Sequence, residues 1–96
     1  MSANVVGVGM TRFTKTPELT HEELARTAIA AAVADAGIDA SDIDAFFCGS
    51  VFGGLAIGQR VARAAGIAEI PIVNLENACA SSGGVLREAY AWVASG

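Results

Sequence analysis

Cys79 stands where an apolar run gives way to a helical one. Residues 70–75 read Ile-Pro-Ile-Val-Asn-Leu, residues 76–84 read Glu-Asn-Ala-Cys-Ala-Ser-Ser-Gly-Gly, and residues 85–94 read Val-Leu-Arg-Glu-Ala-Tyr-Ala-Trp-Val-Ala. A thiol at a helix N-terminus faces unpaired backbone N–H groups and the positive end of the helix dipole, and both favour the thiolate. Ser81, Ser82, Gly83 and Gly84 keep the surroundings small, so a substrate can approach closely. That is the arrangement of a nucleophilic cysteine. Burial as a structural residue is the commoner role for a cysteine, and the strand-to-helix context argues against it here.

The other candidates are weaker. His21 is the only histidine and starts a helix, so it could be the base that activates Cys79; a solvated first-turn residue in a capping segment explains it more simply. Cys48 follows Phe46 and Phe47 at the end of an apolar run and is read as a small buried apolar residue. The stretch from Gly49 to Gly54 could cradle an anion, or it could be a plain strand-to-helix connection. Glu76 and Asn77 could orient the nucleophile or pair across an interface, and a tight-turn role for Asn77 explains that residue equally well. Gly7-x-Gly9 fails as a dinucleotide fingerprint, because position 12 is Arg and the next helix begins only near Thr20. No Cys-x-x-Cys and no histidine pair is present to suggest a metal.

Three strand-then-helix units must position these groups. Asn4 to Met10, Val- and Gly-rich, is predicted as a strand buried on both faces. A loop through Thr14 to Leu19 leads to Thr20 and Glu23, which have capping-box spacing. The helix that follows carries Leu24, Ala25, Ala28, Ile29, Ala32, Val33 and Ala36 on one face, with Gly37 placed to end it. Ile43–Cys48 is the second predicted strand, and a shorter helix reaches about Ala65 with Gly66 closing it. The third strand begins near Ile70, and Pro71 places it at a sheet edge. Strands alternating with helices imply a parallel sheet, hence an α/β fold. From Gly84 to Ala94 only Arg87 and Glu88 are charged, so this third helix is predicted to be buried between two layers.

Composition sharpens that expectation. Of the 96 residues, 53% are hydrophobic and 17% charged, against roughly 25% charged in an average chain. A small globule has a high surface-to-volume ratio, so this chain is expected to be covered by something it does not contain. A net charge of −4 and the lack of a Lys/Arg cluster exclude a nucleic-acid surface. No basic n-region precedes an apolar run, and no uncharged apolar run of about 18 residues exists, so neither a secretory segment nor a membrane span is expected. Two cysteines do not make a secreted disulfide scaffold, and a reduced cytoplasm is the expected setting.

The segment Asn74-Leu-Glu-Asn-Ala-Cys79-Ala-Ser-Ser-Gly83 resembles the nucleophile region of the thiolases, above all the sterol-carrier or lipid-transfer type and the related acetyl-CoA acetyltransferases. Val5-Val-Gly-Val-Gly-Met-Thr-Arg-Phe13 resembles the first strand of that family, and Ala36–Asp39 with Ile43–Gly49 resemble its first helix end and second strand. One departure is Ser82, which intervenes before Gly83 where the family carries glycine sooner. The resemblance runs through essentially the whole chain in order. It implies the N-terminal part of a layered αβαβα fold, parallel β-α-β-α-β-α, with residues 1–96 forming a portion of a thiolase-like N-terminal domain whose C-terminal half is absent.

The chemistry implied by the resemblance is ping-pong acyl transfer with Cys79 as nucleophile. An acyl-enzyme would form from an acyl-CoA or 3-oxoacyl-CoA, for thiolysis or Claisen condensation. Coenzyme A thioesters are then substrates, no permanently bound cofactor or metal is expected, and the Gly49–Gly54 loop could meet a pantetheine arm. The activating histidine and a second, acid/base cysteine would lie in the other half, so the 96 residues alone should not turn over. Assembly as a dimer or tetramer through the third strand and nucleophile region is also implied. The alternatives are a non-catalytic thiolase-like subunit or scaffold, and a ketoacyl synthase. The Asn-Leu-Glu-Asn-Ala-Cys context and the first-strand segment favour the thiolase.

Overall fold

The computed structural model describes residues 2–15 and 18–96. The expected loop from Thr14 to Leu19 thus falls partly outside the described residues, at Thr16 and Pro17.

The elements run α1 (His21–Ala36), a 3-10 turn (Ala40–Asp42), β1 (Phe46–Gly49), α2 (Ile57–Ala64), β2 (Ile72–Leu75) and α3 (Ser81–Ala94). The start of α1 is set by the capping box: the Glu23 N–H donates to Thr20 Oγ1, and the Thr20 N–H donates to the Glu23 carboxylate, both at 3.1 Å. Its end is Gly37, whose φ of 71° is the left-handed geometry a helix C-terminus uses.

β1 and β2 pair in parallel, with Phe46 opposite Ile72 and Gly49 opposite Leu75. Pro71 sits just before β2, where a missing N–H does no harm, and its carbonyl accepts from the Phe46 N–H at 3.0 Å. Alternation then sorts the helices. On one face Gly58 of α2 presses so close that an added Cβ would lie 3.0 Å from Ile72 and 3.1 Å from Cys48. The opposite parity faces α3: Phe47 meets Trp92 edge-on at 5.8 Å, and Leu75 lies under Gly84. α1 lies against α2, where Arg60 pairs with Glu22 at 3.1 Å. The sheet is therefore covered by helices on both faces, as an α/β layer requires. The buried apolar core is small: Ile57, Val61, Ala62 and Ile67.

Two expectations need correction. Residues 4–10 are not a strand of the sheet, because a strand requires a ladder partner and none of the described residues supplies one. The segment instead passes along α1 in the opposite direction, Gly7 against Ala32 and Ala36 and Gly9 against Ala28 and Ala32. The Val8 N–H donates to Asp35 at 2.9 Å, and Val5, Val6, Val8 and Met10 stay exposed. The glycines are there for close approach to a helix. The second correction concerns α3, predicted to be buried between two layers. One face packs on the sheet; Leu86, Tyr90, Trp92 and Val93 are about half exposed or more, because the described residues supply no second layer over them.

Candidate active site

Both strands end at the same edge of the sheet, and the Ser50 N–H donates to the Leu75 carbonyl at 3.2 Å, joining their carboxyl ends. At that edge of a parallel sheet, helix N-termini and loops converge and ligands commonly bind. Residues 50–56 lead from β1 to α2, and residues 76–80 lead from β2 to α3. Between them lies a cavity of about 260 Å³, lined by Ser50, Gly53, Gly54, Ile57, Asn74 and Glu76 among others. Larger cavities lie elsewhere, two of about 590 Å³ along α1 and one of about 510 Å³ beside α3, and none of these three is lined by a cysteine or histidine.

Cys79 is exposed and directly precedes Ala80, the N-cap of α3. The turn that presents it is tightly specified. Ala78 has a φ of 49°, the left-handed region that a residue with a Cβ rarely occupies. The Ala78 N–H donates to the Glu76 carboxylate at 2.6 Å. Ser81 is 5% exposed, and its hydroxyl accepts from the Asn77 N–H and donates to the Ala78 carbonyl, both at 2.8 Å. The Ala80 N–H donates to the Asn77 carbonyl, closing the turn. At the start of α3 the Ser81 and Gly84 N–H groups donate to the Ala78 and Ala80 carbonyls, at 3.2 and 2.9 Å, so the donors left at this end of the sheet are the N–H groups of Ser82 and Gly83. The arrangement offers an accessible sulfur beside a set of backbone donors.

Asn74 fixes the neighbouring wall. Its Oδ1 accepts from the Gly58 N–H at 2.6 Å, and its Nδ2 donates to Gln59 at 2.8 Å, tying the start of α2 to β2. Arg60 donates to the Gly53 carbonyl and pairs with Glu22, holding the 50–56 loop. The Ser50 hydroxyl accepts from the Gly53 N–H at 2.8 Å. This loop is occupied with its own hydrogen bonds, as a strand-to-helix connection would be.

His21 opens α1 at an exposed position, and the Glu22–Arg60 pair places that helix start beside the start of α2, toward the same edge. Among the described residues no hydrogen bond joins His21 to Cys79. Cys48 is half-buried in β1, and desolvation pushes its thiol pKa up, keeping it neutral as an apolar filler. No group of three or more His, Cys, Asp or Glu side chains gathers among the described residues, and no helix there is long and apolar enough to cross a membrane. Sequence reasoning missed Ser81 and Asn74. Small size is the property of Ser81 that the sequence displays, and its place two residues after the cysteine is the signal that points to more.

An α/β layer with an exposed cysteine just ahead of its third helix defines a class. The chain belongs to the thiolase family: the family model described as thiolase, N-terminal domain, matches residues 3–96. Its relatives include acetyl-CoA acetyltransferases of Methanothermobacter thermautotrophicus and Methanocaldococcus jannaschii, 36% and 39% identical over 97 residues, each aligned with 96% of this chain and 25% of the relative. Human sterol carrier protein 2 is 42% identical over 81 residues, 80% of this chain and 15% of that protein. Among solved structures, the Ltp2-ChsH2(DUF35) aldolase matches with a TM-score of 0.76 at 30% identity, over 94% of this chain and 23% of its own. The chain thus spans a quarter or less of the length of these relatives.

Proposed function

We propose that these residues are the nucleophile-bearing part of a thiolase-type acyltransferase acting on coenzyme A thioesters. The observation that carries the reading is the exposed Cys79, set by a constrained turn against the N-terminus of α3. The Cys79 thiolate attacks the carbonyl carbon of an acyl-CoA or 3-oxoacyl-CoA. An S–C bond forms, and the bond to CoA sulfur or to the α-carbon breaks. The leaving thiolate or carbanion takes a proton, and the acyl group then passes to CoA or to an enolate. Backbone N–H groups at the start of α3 are suited to hold the oxyanion of the tetrahedral intermediate. The resemblance to thiolases assigns the activating histidine and the second, acid/base cysteine to the other half of that fold, which these residues do not include.

The same reading includes self-assembly. β2 has one ladder neighbour among the described residues, and the exposed face of α3 is apolar, so a second copy or a second layer has both an edge and a surface to cover. The aldolase among the structural neighbours motivates a second reading, carbon–carbon cleavage without an acyl-enzyme. A scaffold without chemistry would also leave Cys79 unmodified.

Intact mass of the full protein after incubation with acetyl-CoA or acetoacetyl-CoA separates the acyltransferase reading from these two. The expected result is an acyl increment that disappears in Cys79→Ser. No increment on the wild-type protein would overturn the acyltransferase reading.

A further inference from the structure

We infer that Ser81 is a positioning residue for Cys79, its buried hydroxyl locking the left-handed Ala78 turn that presents the thiol. The inference rests on the reading of Cys79 as nucleophile and adds a residue to that machinery.

The hydroxyl does not serve as a helix cap. The N-cap of α3 is Ala80, which has no side-chain acceptor, and the Ser81 hydroxyl bonds backward into the turn, not forward to the helix N–H groups. It holds backbone groups of two consecutive residues, the N–H of Asn77 and the C=O of Ala78, and the Ala78 carbonyl also accepts from the Ser81 N–H at 3.2 Å. The Glu76 carboxylate holds the Ala78 N–H from the other side. Ala78 is therefore clamped at both its peptide groups in a conformation that alanine does not favour by itself. The next residue is Cys79, so the orientation of the Ala78 carbonyl sets the direction in which the Cys79 side chain leaves the backbone. Ser81 is 5% exposed whereas Cys79 is open to solvent, so water cannot readily take over the hydroxyl's two bonds. Gly49 shapes this burial: the end of β1 lies directly against the Ser81 backbone, where any side chain would intrude.

The test is the rate of iodoacetamide alkylation of Cys79 in the full protein near neutral pH, read by mass spectrometry, with Cys48 as internal reference. Ser81→Ala is expected to slow Cys79 about threefold, the size of a helix-terminus effect on a thiolate, and to leave Cys48 unchanged. Ser81→Thr, which keeps the hydroxyl, restores the rate. Adding Ala78→Gly to Ser81→Ala also restores it, because glycine holds a positive φ without a clamp. An unchanged Cys79 rate in Ser81→Ala overturns the assignment. So does a parallel rise at both cysteines, which marks general loosening. Should Ser81→Ala fail to fold, the double variant carries the test: wild-type Cys79 alkylation supports the assignment and slow alkylation overturns it. Acyl uptake is measured separately. Its absence from the wild-type protein would strike the acyltransferase reading and leave the alkylation comparison standing.

Discussion

Gly49→Ala probes the contact on which the site depends. A methyl group at Gly49 would lie 2.9 Å from the Ser81 carbonyl oxygen and 3.1 Å from its carbonyl carbon, whereas ordinary contact begins at 3.4 Å. These are backbone atoms of a helix start and cannot swing aside, so β1 and α3 must part by about half an ångström, an overpacking of the kind that costs about 1–3 kcal/mol. Gly49 is not in the left-handed region, so alanine meets no φ penalty, and its stiffer unfolded chain returns about 0.4–1 kcal/mol. The net expectation is destabilisation of about 1 kcal/mol, with Cys79 alkylation altered because the displaced atoms belong to the residue that clamps its turn. Urea denaturation of the full protein should show a lower midpoint at unchanged slope. Gly83→Ala is the control: nothing lies within 4 Å of that position, which is inside α3, so alanine there should stabilise by about 0.5–1 kcal/mol. A Gly49→Ala midpoint equal to or above wild type would refute the close approach of β1 to α3.

Two further outcomes follow from the geometry. Thr20→Ala removes the hydroxyl from the α1 capping box and should cost about 1 kcal/mol, read as a lower melting temperature with Cys79 alkylation unchanged. Burial raises the Cys48 pKa above its ordinary 9.0, so the folded state keeps a proton that the unfolded state loses as pH rises. Stability is then undiminished below the unfolded-state pKa and falls as pH climbs from there toward the folded-state value. Cys48→Ala should flatten that alkaline decline in a series of denaturation curves, and at neutral pH Cys48 should alkylate more slowly than the exposed Cys79.

Much of the scaffold was legible because its signals are local. Thr20 with Glu23 starts α1 and Gly37 ends it, since capping bonds span three or four residues and use a fixed set of side chains. The parallel pairing of β1 with β2 followed from alternation of strand and helix. The placement of Cys79 ahead of a helix followed from a β run, a small-residue stretch and a helical run in succession. Residues 4–10 misled for a definite reason. A Val/Gly run that packs two glycines onto a helix has the same composition as a strand buried on both faces, and only a ladder partner distinguishes them.

Family, α/β class, the ends of α1 and the candidate nucleophile can all be read along the chain, because each rests on neighbouring residues. What holds that nucleophile depends on contacts made in space. Ser81 is buried because Gly49, 32 residues earlier, lets the end of β1 come against it, and burial is what makes its two hydrogen bonds hard for water to replace. Asn74 ties α2 to β2 across 16 residues, and Arg60 reaches Glu22 across 38. Hydrogen-bond partners so far apart leave no periodic trace along the chain, because each depends on where a sheet and two helices meet in space.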